Sequence, residues 1–255
     1  MFKVAIAGAN GNMGLEISSL LNLNDKLHCV AKIVKAEEEI TDSHCYTSLA
    51  NAAADIDKID VLIDFTSSDA SMKFAESCAN LGVAHVCGST GFTKDQIAVL
   101  QEIAKNSLLF LSPNMSIGVA VLKMLCKKAA RVLDNSFDVE ILEMHHNKKA
   151  DAPSGTALML GKAIAHERGA DDSLFNLNHN LSGVRKHGEI GFATMRGGSV
   201  VGEHTAFFVS GTEKISLNHT SFTKRIYAEG ALKAAIWLMS QTAGKIYDMD
   251  DMVSL

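Results

Sequence analysis

Lys3-Val4-Ala5-Ile6-Ala7-Gly8-Ala9-Asn10-Gly11-Asn12-Met13-Gly14-Leu15-Glu16-Ile17 is the stretch that decides the architecture of this chain. A short β-run enters glycines spaced G-x-x-G-x-x-G, and apolar residues then recur at Met13, Ile17, Leu20 and Leu21 with helical spacing. Strand, glycine turn and helix in immediate succession form a variant of the dinucleotide fingerprint. Glycine permits the tight turn and close backbone approach, and a pyrophosphate can then sit on free N–H groups at the helix N-terminus. The motif alone is also compatible with a plain glycine turn, so its setting matters.

Downstream, strands are expected over Leu27 to Val34, Val61 to Phe65, Val83 to Cys87 and Leu108 to Leu111. Helices are expected over Ala70 to Leu81, closed by Gly82 in the left-handed cap, and over Thr93 to Asn106. This alternation predicts an α/β fold with a Rossmann-type, doubly wound parallel sheet. The pattern then changes. Val119 to Leu133 reads as a long helix, Phe137 to Met144 as a strand ending in two histidines, and Ser154 to Arg168 as a helix. A polar stretch from Asp171 to His187 follows. Several short β-runs lie between Gly188 and His219, among them Val200 to Thr205 and Thr205 to Val209. They predict a second, α+β domain with an open mixed sheet, and Ala228 to Gln241, holding the single Trp237, reads as a final helix.

Of 255 residues, 47% are hydrophobic and 21% charged, an ordinary globular balance. A net charge of −5 gives no electrostatic footprint for nucleic acid or anionic membrane. No apolar run approaches the ~20 residues of a membrane-spanning helix, and the opening residues read as a strand, not a signal peptide. Cys29, Cys45, Cys78, Cys87 and Cys126 are odd in number, dispersed and never paired as Cys-x-x-Cys. They are expected to be buried thiols of a reducing compartment, which places the chain in the cytoplasm.

Ligands of doubly wound sheets bind at strand C-termini. The second strand ends Ile33-Val34-Lys35-Ala36, ahead of Glu37-Glu38-Glu39. Lys35 is suited to a 2′-phosphate, which favours NADPH, although a solvated lysine would look the same; the glutamates would serve a ribose, as in NADH, only if the strand runs longer. Asp64-Phe65-Thr66-Ser67, Gly88-Ser89-Thr90-Gly91-Phe92 and Ser112-Pro113-Asn114-Met115-Ser116 leave three further strands. Three such loops on one sheet edge predict a cofactor cleft.

The densest chemistry lies from Glu140 to Ala157, Glu-Ile-Leu-Glu-Met-His-His-Asn-Lys-Lys-Ala-Asp-Ala-Pro-Ser-Gly-Thr-Ala. His145 is a titratable group at a strand end, and Lys149 adds a cation. Ser154, Gly155 and Thr156 open a helix whose hydroxyls and N–H groups suit a carboxylate. Together they fit a small dicarboxylate substrate beside a general acid or base. Ser154 is equally suited to a simple N-cap. His145 and His146 point to opposite strand faces and have no H-x-x-x-H or cysteine partner, so no metal site is expected. His179, His187, His204 and His219 are expected to be surface or core residues without a role.

Glu140-Ile141-x-Glu143-x-His145-x-x-x-Lys149-x-Asp151-x-Pro153-Ser154-Gly155-Thr156-Ala157 resembles the signature of the dihydrodipicolinate reductase family. The similarity runs through nearly the whole chain: the Gly8 loop, Asp64-Phe65-Thr66, Gly88 to Phe92, Pro113 to Ser116, Gly191-Phe192-Ala193-Thr194, Arg196-Gly197-Gly198 and Gly202-Glu203-His204. The resemblance implies an oxidoreductase of the diaminopimelate route to lysine. Such an enzyme reduces 4-hydroxy-tetrahydrodipicolinate to tetrahydrodipicolinate with NADPH or NADH, as a homotetramer joined through its C-terminal domains. It implies a dinucleotide-binding domain over 1–116 with 226–255, and a substrate-binding and oligomerisation domain over 117–225.

By the same resemblance Gly8, Ala9, Asn10, Gly11, Asn12 and Met13 contact the cofactor, as do Gly88, Ser89, Thr90, Ser112, Pro113, Asn114 and Met115. His145 takes the acid/base position and Lys149 that of its cationic partner; His146, Ser154, Gly155 and Thr156 take the substrate carboxylates. The family commonly carries an acid then a base at the second strand's tip, where this chain has Val34 and Lys35, a departure that tilts the expectation toward NADPH. Hydride addition to the conjugated carbon of an unsaturated imine sends negative charge toward the ring nitrogen, so a proton must arrive, from His145 as imidazolium, with Lys149 stabilising the charge. Cofactor and substrate meet only if the domains close, a closure that Arg225, unless it is a plain surface arginine, helps to hold. A homoserine or semialdehyde dehydrogenase would need a different catalytic set, and a pure NAD(P)H sensor would have no use for His145 and Lys149.

Overall fold

The computed structural model describes residues 1–36, 43–177 and 184–254. Glu37, Glu38, Glu39 and His179 lie outside the described residues. In chain order the strands are β1 (Phe2–Ala7), β2 (Leu27–Ile33), β3 (Cys45–Tyr46), β4 (Val61–Asp64), β5 (Ala84–Cys87), β6 (Leu109–Leu111), β7 (Asp138–His145), β8 (Phe175–Asn176), β9 (Ile190–Arg196), β10 (Gly202–Val209), β11 (Lys214–Ser221) and β12 (Ile246–Tyr247). The helices are α1 (Asn12–Leu21), α2 (Leu49–Asp55), α3 (Ser68–Leu81), α4 (Lys94–Ala104), α5 (Ile117–Val132), α6 (Gly155–Glu167), α7 (Arg225–Leu238) and α8 (Met249–Val253). They fall into two compact units, Met1–Ser116 with Arg225–Met252, and Ile117–Lys224 with Val253–Leu255.

The first unit is a parallel sheet in the order β12-β6-β5-β4-β1-β2-β3. β4 and β5 are buried at every position, as strands covered on both faces must be. The order runs outward from β1 in both directions, so the topological switch point lies where β1 delivers the glycine turn. α7 packs beside α1, and its Gly230 lies so close to the Met115 carbonyl that any side chain would collide with it. The edge strands β3 and β12 have two residues each, too short to carry a period. α2 stands where only an acidic connection was expected; Ser48 caps it by accepting a hydrogen bond from the Asn51 N–H.

The second unit is a mixed sheet in the order β11-β10-β7-β9-β8. β10 runs antiparallel to β7 and β11, while β7, β9 and β8 are parallel. Where two runs were expected between Val200 and Val209, the single strand β10 alternates buried and half-buried along its length. Its inward residues Ala206 and Phe208 join Val139, Ile141, Ile190 and Phe192 against Leu122 and Cys126 of α5 and Leu160 and Ile164 of α6. The outward positions of the same strands carry Leu142, Met144, Ala193, Phe207 and Val209, half-buried, and the exposed Met195, interspersed with Glu140, Glu203 and Thr205. All five cysteines are free thiols, and Cys29 is half-buried where burial was expected. No helix among the described residues is long and apolar enough to cross a membrane.

Candidate active site

In the first unit the chain leaves β1 through Gly8, whose φ of +73° is open to glycine at little cost. Gly8 and Ala9 donate N–H bonds to the Ile33 carbonyl at 3.1 and 3.4 Å, tying the turn to the end of β2. Gly14 is buried against the carbonyls of Gly8 and Ala9, which a Cβ would strike, so α1 starts tight beneath the turn. Its N-cap Gly11 supplies no side-chain cap, and the first N–H groups of a helix have no partner within it. Gly8, Ala9, Asn10, Gly11 and Lys35 line a cavity of about 930 Å³ with Val34, Thr47, Thr66 and Lys73. An uncapped helix start under a glycine turn, facing such a cavity, fits the pyrophosphate and adenosine half of a dinucleotide.

Asn12 and Met13 form the first turn of α1. Gly88, Ser89 and Thr90 follow β5, and Ser112, Pro113, Asn114 and Met115 follow β6, apart from the walls of that cavity. Gly88 makes room for the Phe65 ring. Ser89 and Ser112 are buried; Ser112 Oγ donates to the Asn114 carbonyl at 2.9 Å, and Met115 belongs to the core. These side chains hold their loops, so a ligand would meet mostly backbone. Asp64, wholly buried, accepts from Thr66 N (2.9 Å), Thr66 Oγ1 (2.6 Å) and Ser71 Oγ (2.5 Å), and pairs with His85 Nε2 at 3.2 Å. Burial alone would raise its pKa, but those bonds outweigh it and hold the carboxyl below its ordinary value. Asp64, His85 and Cys87 bring possible metal donors within 4.8 Å of one another. The carboxylate is nonetheless engaged by protein donors, and burial pushes the Cys87 thiol up to about 12.

In the second unit everything turns on Glu143. Strand alternation puts Glu143 and His145 on one face of β7, and His145 Nδ1 lies 2.5 Å from Glu143 Oε2. Register brings the rest: β10 sets His204 opposite Glu143, and β9 sets Thr194 opposite Glu143 and Arg196 opposite His145. Arg196 forks both Glu143 oxygens at 2.8 Å and donates to the Asp151 carbonyl at 2.7 Å. Thr194 Oγ1 and Ser154 N donate to Oε1 at 3.2 and 3.1 Å. With Glu143 holding Nδ1–H, Nε2 is the ring nitrogen left for chemistry. It lies over Gly202, where a Cβ would come within 3.1 Å of it. Burial pulls the His145 pKa below 6.5, against the upward pull of Glu143. Burial would raise Glu143, but Arg196 and His145 more than compensate and lower it.

Lys149, mostly buried, points its ammonium at Asp151 Oδ1, 2.8 Å away. His146 is half-buried, its Nδ1 accepting from Lys148 N at 3.2 Å. Ser154 is engaged internally: its hydroxyl caps α6 by accepting from Ala157 N and lies 3.0 Å from His204 Nε2. Gly155 and Thr156 form the first turn of α6, with open space beside Gly155. His204 is thus a buried core residue, as the sequence reading allowed, with Ser154 as its partner. Its ring stands edge-on to His145 at 5.1 Å, and burial drives its pKa down to about 4. His187 is exposed and His219 half-buried. Glu143 had a local signal in its two-residue spacing from His145, whereas Arg196, Thr194 and His204 are remote in sequence and stood out only within stretches that carry the family resemblance. Arg225 pairs with Glu229 one turn along α7, at 3.2 Å.

A doubly wound unit with a cavity beside its glycine turn, and a mixed-sheet unit bearing a carboxylate-held histidine, together define the class of two-domain nicotinamide-dependent oxidoreductases. The fold is shared with the DAP dehydrogenase of C. glutamicum in complex with DAP, at 14% identity and a TM-score of 0.61, covering 98% of this chain and 93% of that one. A dipicolinate-bound dihydrodipicolinate reductase from Paenisporosarcina sp. TG-14 superposes with a TM-score of 0.83 at 24% identity, covering 99% and 100%. The family models for the N-terminus and C-terminus of dihydrodipicolinate reductase match residues 2–115 and 118–253. The 4-hydroxy-tetrahydrodipicolinate reductases of Anaeromyxobacter dehalogenans and Syntrophotalea carbinolica are 40% and 38% identical over 100% of this chain, covering 98% and 100% of those relatives. The chain belongs to the dihydrodipicolinate reductase family, and a nicotinamide cofactor belongs to its chemistry.

Proposed function

We propose that this chain is an NAD(P)H-dependent 4-hydroxy-tetrahydrodipicolinate reductase, forming tetrahydrodipicolinate on the diaminopimelate route to lysine. The observation that carries the reading is the Glu143–His145 pair with Lys149 and the start of α6 beside it. Gly8 to Met13 take the cofactor's pyrophosphate, with backbone contacts from Gly88 to Thr90 and Ser112 to Met115. When bound, NAD(P)H supplies the hydride to the conjugated carbon of the substrate. Lys149 holds a substrate carboxylate and stabilises the charge that develops toward the ring nitrogen. Gly155 and Thr156 offer first-turn N–H groups to a carboxylate, His146 flanks it, and Ser154 fixes the turn.

His145 delivers the proton from Nε2, steadied through Nδ1 by Glu143. Burial keeps the free ring neutral to a lower pH than usual, and the negative charges of a dicarboxylate favour its protonated form. The sign follows for the rate profile. kcat/KM, which reports the free enzyme, is expected to fall as pH rises through a value below 6.5. kcat, which reports the complex, is expected to fall only at higher pH; pH–rate profiles with coincident limbs would remove His145 from the acid role.

Lys35 at the tip of β2 favours NADPH over NADH. The apolar residues on the outward face of the second sheet support self-association, and the family resemblance makes that assembly a homotetramer. Phe207→Glu on that face is expected to yield a smaller species by light scattering, while a variant that keeps the wild-type mass would place the interface elsewhere. The dispersed free thiols support a cytoplasmic setting. The deciding experiment follows reduced-nicotinamide absorbance with substrate made freshly from pyruvate and aspartate semialdehyde, with NADPH and NADH in parallel. Oxidation that requires enzyme and substrate together is expected. No oxidation by folded protein that still binds NADPH would reduce the chain to a nucleotide-binding module.

A further inference from the structure

Lys35 is not the only cation on the dinucleotide cavity. Lys73, on α3, lines it too, and among the described lining residues these two lysines are the only ionisable side chains. Lys73 stands four residues after Asp69, the order and spacing that ordinarily give an ion pair on a helix. Asp69 accepts instead from Gln96 Nε2 at 2.9 Å, and Lys73 pairs with no carboxylate among the described residues. Its neighbour Phe74 packs against the cluster that holds Ile33, which brings this part of α3 alongside the end of β2. Among the described residues the cavity thus joins two ammonium groups and no carboxylate, one cation from α3 and one from the tip of β2, on walls that are otherwise backbone, hydroxyl, amide and apolar.

The end of the second strand is where such folds read the adenosine ribose: a carboxylate there suits a free 2′-hydroxyl, a cation a 2′-phosphate. We propose that Lys73 acts with Lys35 as a two-cation clamp on the 2′-phosphate of NADPH, which makes Lys73 a specificity-determining residue. This rests on reading the first unit as the dinucleotide site. A phosphate monoester is close to a dianion at neutral pH, and a second ammonium meets the charge that one lysine leaves unbalanced.

Calorimetric titration of the full chain with 2′,5′-ADP, 5′-AMP, NADPH and NADH tests the clamp in the wild type, Lys73→Gln, Lys73→Arg and Lys35→Gln. Lys73→Gln is expected to weaken 2′,5′-ADP and NADPH about tenfold, the scale of one charge-assisted contact. It should leave 5′-AMP and NADH as in the wild type, and Lys73→Arg should restore most of the loss. An unchanged NADPH-to-NADH affinity ratio in Lys73→Gln overturns the clamp, as does a wild type that binds the two dinucleotides equally. A wild type that binds neither overturns the dinucleotide reading itself.

Discussion

Lys149→Ala is expected to lower kcat by about 10²–10³-fold, the scale of losing one group aimed at developing charge, while NADPH affinity stays at its wild-type value. The separation follows from geometry. Lys149 lies beside the His145 strand end in the second unit, whereas the glycine turn and its cavity are built wholly from the first. Stability should be spared as well. Among the described residues, the only side-chain partner Lys149 leaves behind is Asp151, which is 61% exposed and returns to water at little cost. A thermal melt and an NADPH titration run beside steady-state kinetics separate a chemical defect from a folding defect. Near-wild-type turnover would remove Lys149 from the catalytic set.

Glu143→Leu is expected to act in the opposite way, through the fold. Glu143 is fully buried, and its two oxygens serve Arg196, His145, Thr194 and the Ser154 N–H. Removing the carboxylate strands the Arg196 guanidinium, itself only 20% exposed. Breaking a buried pair from one side costs about 3–5 kcal/mol, and the Ser154 and Thr194 donors lose their acceptor as well. Trp237 belongs to the first unit, so its fluorescence would not report the loss. Urea unfolding followed by hydrogen exchange at the amides of β7, β9 and β10 would. Unchanged exchange protection there would mean that the Glu143 network positions His145 without stabilising the sheet. Glu143→Gln keeps the shape and one acceptor, so it should cost less stability yet still leave the His145 ring without its anionic anchor.

The pair of predictions divides the site by what was legible. The residues proposed to meet the substrate, His145 to Thr156, lie on one continuous strand–loop–helix segment, so residue type and spacing were enough to single it out. The doubly wound unit is legible for the same reason. Its glycine turn, its apolar strand runs and the Gly82 cap are local signals, and the observed ends of α1, α3 and α4 fall within a few residues of those expected. The two-residue strands β3 and β12 escaped because pairing, not composition, makes them strands.

What the sequence by itself determined was the class of fold and the order of its elements, and it singled out the segment proposed to react, because each depends on periodicity or on neighbours a few positions apart. The tertiary structure alone decided what holds those residues. Glu143 gains Arg196, Thr194 and His204 only through the register of β7 with β9 and β10. Ser154 turns inward to cap α6 and meet His204, and Lys73 joins Lys35 only because α3 packs alongside the end of β2. Hydrogen bonds between strands and packing between layers unite residues that no local pattern relates. A buried carboxylate's partners are therefore visible only once the sheet has formed.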